Sequence, residues 1–599
     1  MEGLGRQLFA AAATAAIAAA LAAAPAWAAQ QPRAAVQGQL DPELRAEIVR
    51  AVGDSEGPVT NRFEARRRSR DAAEAAIAVL RSEGYYEYDV EADVGEGDTP
   101  TPIVRVTPGA RFTLGRPKIQ WVDGAPDEVT QLAAEAALAL DPGAPARAAE
   151  VVSAEGRLVA SVQDAGYADA AAKPREVVVD HADRTVTPTY RIASGQPVRL
   201  GDIRLMGTAR TKAASLQRLA PWRPGDLYRP PDIAQLERRL LDTGVYESVT
   251  VALAPRSDTT AAGLRPVVVS VAERKRHTIE VGASYGTTDG PGFDVRWTRY
   301  NQLGRMDTLS LFAKASKLDS RAGAELKLPN WRRPDETATL NAAAYRQTTD
   351  AYDVTGVGAR GDLLRHFTKT SYLTLGASID FSRTDELKPG TLTSLGRDLI
   401  TFGTLADLFL DRSDDPLNPT RGFRIGGRVE PTLIAGQGTV PYVKVQSQGS
   451  AYFPFGLKAE TVLAGRLRVG SILNGTISEI PAPQRFYAGG GGSVRGFAYQ
   501  AVGPRLADNT TPQGGLSLLE GSVELRHELT KTWGVVAFVD AGSVGSTNAP
   551  TVKDVGVGAG LGVRYNLGFG PIRVDVAAPV SGRHGGSPFQ VYVSIGQAF

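Results

Sequence analysis

No cysteine occurs among the 599 residues. That excludes a disulfide frame, a lipid-modified cysteine anchor and a thiolate metal site. Histidine is scarce, and His181, His277, His366, His527 and His584 are scattered without metal-ligand spacing. Charge of one sign is also missing. The formal net charge of +2 gives no reason to expect nucleic acid or an acidic substrate as partner. With a mean hydropathy of −0.16, a bundle of membrane helices is excluded as well. One long apolar run exists, from Leu8 to Ala26; it follows Arg6, is mostly alanine, and ends at Ala26-Trp27-Ala28. Small residues at both ends of that tripeptide predict a signal peptide over residues 1–28, cleaved after Ala28, in preference to an uncleaved anchor. An exported chain with no further apolar helix can still cross a membrane as a closed barrel, which pairs its backbone groups between strands.

Catalytic signatures are absent or accidental. Gly53-Asp54-Ser55-Glu56-Gly57 matches the G-x-S-x-G pattern but lacks a preceding strand, so a Ser55 lipid hydrolase is the weaker rival reading. The glycines from 556 to 562 imitate a dinucleotide fingerprint without its helix. The chain is therefore expected to be no enzyme and to need no cofactor or metal.

The first half is repetitive. Three amphipathic helices each end in a glycine followed at once or one residue later by an aromatic: Gly84-Tyr85, Gly166-Tyr167 and Gly244-Val245-Tyr246. Each glycine suits a left-handed helix cap, with the aromatic packing back on the helix. The joins repeat too, as Gly109-Ala-Arg-Phe112-Thr-Leu114-Gly115 and Gly195-Gln-Pro-Val198-Arg-Leu200-Gly201. A period of about 80 residues suits tandem α/β modules and is too long for a solenoid. Small sheets with open edges could pair with an extended client chain through main-chain bonds.

From about His277 the period becomes two. Phe293, Val295 and Trp297 alternate with Asp294, Arg296 and Thr298; Ile572, Val574 and Val576 alternate with Arg573 and Asp575. Charges recurring on one face suit a wet lumen and would not be tolerated in a packed sandwich. Residues 276–599 divide into sixteen strands, each with room for about ten membrane-crossing residues. The turns Asn301-Gln-Leu-Gly-Arg305 and Asp415-Pro-Leu-Asn-Pro-Thr420-Arg421-Gly422 would then lie on the periplasmic side. Between strands eleven and twelve runs a loop of roughly 40 residues, from about Leu473 to Leu516, too long for an ordinary hairpin. It carries Gly489 to Gly492 and then Val494-Arg495-Gly496-Phe497. Alternation turns Glu524 on strand twelve and Asp540 on strand thirteen into the lumen.

Val494-Arg495-Gly496-Phe497 resembles the VRGF/Y motif of the BamA/TamA superfamily of outer-membrane assembly proteins. The repeated modules resemble that superfamily's POTRA domains, most specifically in Pro224-Gly225-Asp226-Leu227-Tyr228 and the helix after it. The resemblance spans the mature chain. It implies a 16-stranded antiparallel transmembrane β-barrel preceded by three periplasmic α/β POTRA-like domains, at 29–110, 111–195 and 196–275, with the barrel at 276–599. It further implies that Arg495 is held by Glu524 and by Asp540 of the Phe538-x-Asp540-x-Gly542 motif. A guanidinium that bonds two carboxylates at once would offset the entropy of holding a loop in a wide lumen. Gly496 would let the loop approach the wall, and Phe497 would pack there. Phe599, in phase with Phe589, Val591, Val593 and Ile595, resembles the terminal targeting signal of bacterial outer-membrane barrels, placed at the membrane interface.

Three modules and this length resemble the TamA branch. That implies a TamB-like inner-membrane-anchored partner, unfolded outer-membrane protein clients including autotransporters, and contact with outer-membrane lipid. Clients would pair at a lateral seam between the first and last strands. A secretion pore for one exoprotein and a role in lipid transport are the alternatives.

Overall fold

A computed structural model of the chain describes residues 32–55, 57–96, 99–207, 210–286, 290–436, 438–456, 460–567, 570–581 and 588–599. The expected signal peptide lies outside these residues. No helix among them is long and apolar enough to cross a membrane. The chain divides into two compact units. One holds the residues up to Leu200 with 224–232 and 260–265, and the other holds 201–223, 233–259 and 266–599.

The first unit shows why the repeat reads as α/β modules. Helix Arg62–Ser82 starts at Asn61, whose side chain accepts the Glu64 N–H, while the Glu64 carboxylate accepts the Thr60 N–H. This reciprocal capping fixes the first turn. Ala65, Ala72, Ala76 and Leu80 then bury one stripe, and Gly84, at φ 90°, turns the chain out of the helix. The stripe packs on a three-stranded sheet ordered Ala35–Gln37, Pro102–Thr107, Asp89–Val94. The second module repeats the plan with helices Glu128–Leu138 and Ala148–Asp164 over a sheet centred on Thr185–Ala193. Among the described residues its strand Ala171–Asp180 pairs on one side only, and it exposes Val177 and Val178. A second three-stranded sheet, built from Arg199–Met206, Leu264–Glu273 and Tyr246–Leu253 in that order, lies mostly in the second unit.

The second unit is dominated by a 16-stranded antiparallel β-barrel in strict sequential order, from His277–Gly286 to Gln590–Ile595. Its burial pattern inverts that of a soluble protein. On strand 12, Ser517–Glu528, the exposed residues include Val523 and Leu525, and the buried ones include Glu520, Glu524 and Arg526. On strand 13, Trp533–Gly545, Val535 and Val539 face out while Phe538 and Asp540 face in. An apolar exterior with a polar interior is the arrangement a bilayer demands of a spanning barrel.

Two departures from uniform closure matter. Strand 16 is six residues long and pairs with strand 15, Gly570–Ser581. Among the described residues no ladder joins it to strand 1. The first turn, in contrast, is firmly held. Asn301, at φ 53°, donates to Thr211 Oγ1 (2.7 Å) and to Glu273 Oε1 (2.9 Å), and Lys212 N–H reaches Gly304 O. Glu273 also takes the Arg210 guanidinium and its N–H.

Phe599 departs from the sequence expectation. Strand 16 ends at Ile595, and Gly596, at φ 87°, breaks the alternation. The following residues turn inward. Gln597 accepts from Arg564 Nε and donates to Asn418 of the Asp415–Thr420 turn. The Phe599 ring sits 5.3 Å from the guanidinium carbons of both Arg466 and Arg526, packed against Tyr452, Val462 and Ala464. Ala464 pairs with Glu524 in the ladder, so this is the lumenal face, not the lipid one.

Candidate functional site: a loop held inside the barrel

The segment between strand 11, Thr461–Leu473, and strand 12 folds into the lumen rather than over it. Paired main-chain bonds between Phe486 and Gly515 make its limbs a narrow hairpin. Its apolar side chains Ile480, Phe486, Val494, Phe497 and Val502 form one cluster with Ile434, Tyr442 and Leu518 of the wall. Gly489 and Gly490, at φ 109° and 100°, make the sharp bend before the motif. At Gly496, φ 97°, a Cβ would meet the Ala578 carbonyl carbon and oxygen at 2.8 Å, so a side chain is excluded on two counts.

Arg495 is 2 % exposed and meets three carboxylates. Its Nε donates to Asp540 Oδ2 at 2.6 Å and its Nη2 to Asp540 Oδ1 at 2.9 Å, a bidentate pair. Its backbone N–H donates to the same Oδ2. Nη1 lies 2.7 Å from Glu524 Oε1 as an ion pair and donates to Asp575 Oδ2 at 3.0 Å. The guanidinium carbon sits 3.5 Å from the centre of the Phe538 ring. Burial works against the charge, but the Asp540 bonds and the Glu524 and Asp575 charges outweigh it and hold the guanidinium above the ordinary arginine range. Arg526 pairs with Glu524, and Arg564 with Asp575, so the carboxylates are themselves partly neutralised.

Of the residues singled out from sequence, Arg495, Glu524, Asp540 and Phe538 thus meet at one point. Gly542 lies beside the motif as well; a Cβ there would meet Val494 Cγ2 at 2.5 Å. Ser55 lies elsewhere, in a loop of the first module, where its hydroxyl takes the Arg68 guanidinium.

Three groups were missed. Alternation places Asp575 on the polar face of strand 15, and strand order is the signal that connects it to Arg495. Tyr592 of strand 16 pairs with Asp575 in the ladder and so points inward. Its hydroxyl accepts the Gly496 N–H at 3.1 Å and donates to Phe497 O at 3.0 Å, tying the loop to the last strand. The third group is Glu386, with Arg397 and Arg485, at the root of the loop. No single-strand pattern signals that cluster.

Tandem small α/β modules joined to a 16-stranded barrel that encloses its own arginine-anchored loop define a class of barrel preceded by modular arms. Comparison with known proteins gives the family. The Omp85 superfamily domain matches residues 301–599, and the surface antigen variable number repeat of POTRA type matches residues 198–274. The chain belongs to the Omp85 superfamily. It is 23% identical over 517 residues to the outer membrane protein assembly factor BamA of Neorickettsia risticii, covering 83% of this chain and 68% of the relative. It is 22% identical over 527 residues to BamA of Neisseria meningitidis serogroup B, covering 81% and 64%. The chain therefore spans about two thirds of the length of these relatives. Among solved structures, BamA from Haemophilus ducreyi lacking POTRA domains 1-3 superposes with a TM-score of 0.66 at 19% identity, over 80% of this chain and 98% of that one. That likeness supports the fold.

Proposed function

We propose that this chain is a non-enzymatic assembly factor for outer-membrane proteins, seated in the outer membrane with its POTRA-like modules in the periplasm. Its relatives carry the name outer membrane protein assembly factor. The observation that carries the reading is the contrast between lumen and seam. The lumen is crossed by an anchored loop, whereas strands 1 and 16 share no ladder among the described residues. Unpaired strand edges offer main-chain donors and acceptors to a client strand regardless of its sequence. Exposed Ile279 and Val281 on strand 1 and Val593 on strand 16 keep that edge apolar towards lipid. In this reading Arg495, Glu524 and Asp540 are a structural lock. It keeps the loop in place while clients pair at the seam, and Phe599 serves in targeting.

Within the superfamily we favour the TamA branch, with a leader at 1–28, modules at 29–110, 111–195 and 196–275, and the barrel at 276–599. Its partner would be a TamB-like inner-membrane-anchored protein, engaging an open sheet edge such as Ala171–Asp180. Autotransporters would be among its clients. Depletion followed by outer-membrane proteomics and lipid analysis tests the function. Loss of barrel proteins is expected; a change confined to lipid would replace protein assembly with lipid transport. For the seam, cysteine pairs linking His277–Gly286 to Gln590–Ile595 are unambiguous in a cysteine-free chain. Normal client assembly by the cross-linked barrel would overturn the seam mechanism.

A further inference from the structure

Glu386 lies at the end of barrel strand 7, Tyr372–Leu387, with its side chain wholly buried. A buried carboxylate needs full compensation. Here it accepts the Ala482 N–H at 2.7 Å, sits 3.2 Å from Arg485 Nη2, and sits 2.8 Å from Arg397 Nε on strand 8, Ser394–Asp411. Ala482 and Arg485 belong to the long loop, where a short 3₁₀ turn, Ala482–Gln484, presents them.

The two arginines grip main chain as well. Arg397 donates to Ser478 O at 2.7 Å and to Glu479 O at 3.1 Å. Arg485 donates to Ile480 O at 2.8 Å on the outgoing limb and to Gln513 O at 2.9 Å on the returning one. Both limbs are therefore gathered at one carboxylate. Strand 7 and strand 15 stand eight strands apart in a barrel of sixteen, half the circumference. A loop fixed to Glu386 on one and, through Arg495, to Asp575 on the other must cross the lumen.

We propose that Glu386, with Arg397 and Arg485, is a second and independent positioning centre for the loop, making it a crossbar suspended from opposite walls. Each anchor fixes its own end, and the lumen opens only when both are cut. The proposal concerns the suspension of the loop and stands whether or not clients use the seam. The geometry supports independence because the two charge clusters share no residue and use different strands.

The test uses the full chain folded into lipid bilayers, with heat-modifiable migration as the folding control. Glu386→Gln keeps the side-chain shape while removing the charge. Hydrogen exchange in this variant should rise over residues 476–486 and 513–516 and stay at the wild-type level over 493–497. Arg495→Gln should do the reverse. Ion conductance should remain near wild type in each single variant and rise about tenfold or more in the double variant, since two independent restraints act jointly. If Glu386→Gln fails to fold, Arg485→Lys serves, because an ammonium keeps the charge but cannot reach Glu386, Ile480 and Gln513 together. A single variant as conductive as the double, or a double variant that stays closed, overturns the crossbar.

Discussion

At its tip the long loop brings one arginine to three carboxylates of the wall; at its root one carboxylate of the wall receives two arginines and a backbone amide. Both ends are buried, yet the charges are shared out differently. At the tip the loop supplies the sole cation within ion-pair distance of Asp540 among the described residues, while Arg466 acts on Asp540 only at longer range. At the root the wall itself supplies Arg397, so the anchor survives in part without the loop's own arginine. A buried charge stripped of its last partner costs far more than one that keeps another. The tip is therefore the brittle anchor and the root the tolerant one.

The sharpest way to break this contrast is Arg495→Ala. Glu524 keeps Arg526 and Asp575 keeps Arg564, but Asp540 is left with Ser522 and a backbone N–H. The loss of loop docking should be on the order of 3–5 kcal/mol. Protease cleavage within 487–512 should accelerate accordingly, with export unchanged. Adding Asp540→Asn should recover part of that loss, because the orphaned charge is gone. A double variant as labile as the single would mean that Asp540 is not the source of the brittleness.

Arg485→Ala should cost less, about 1–3 kcal/mol, since Glu386 retains Arg397 and the Ala482 N–H. The same protease assay, read at residues 476–486, gives the comparison. If Arg485→Ala proved as damaging as Arg495→Ala, unequal charge sharing would not explain the anchors.

Tyr592→Phe is smaller again. It deletes two hydrogen bonds, to Gly496 N–H and Phe497 O, while keeping a ring of the same shape. A net loss of about 1–2 kcal/mol is expected, seen as faster hydrogen exchange over Gln590–Ile595. Unchanged exchange there would separate the loop from the last strand.

The two anchors also differ in how far the sequence discloses them. The tip is legible because the wall acids Glu524 and Asp540, which receive Arg495, lie on strands whose alternation is unbroken. Glu520, Ser522, Glu524 and Arg526 fall on the lumenal face, and Phe538 and Asp540 of the paired strand fall on the same face, so period two is enough to aim the acids. Gly84, Gly166 and Gly244, all at positive φ, were likewise legible as helix caps. The root is illegible for a physical reason. Glu386 sits at a strand end; Arg397 reaches it from the neighbouring strand, but Ala482 and Arg485, 96 and 99 residues away along the chain, are brought to it by loop folding, which has no period. At Phe599 alternation gives the wrong face, because the left-handed backbone of Gly596 ends the strand and the residues after it turn inward.

Unlike the two buried anchors, the polar hub where the first barrel turn meets Thr211 and Glu273 rests on a carboxyl outside the barrel strands. Burial pushes the Glu273 carboxyl up, but hydrogen bonds from Arg210 and Asn301 prevail and hold it below its ordinary 4.5. A carboxyl whose pKa is depressed on folding adds stability that is complete above its unfolded value and is lost as pH falls through its folded value. The hub should therefore hold at neutral pH and weaken only below about pH 4.5. Glu273→Gln keeps an acceptor for Asn301 but removes the charge from Arg210, so its deficit in Tm relative to wild type should be largest near pH 6 and shrink towards pH 3. A deficit that stays constant across that range would assign the hub's contribution to shape and neutral hydrogen bonds, with no role for the carboxylate charge.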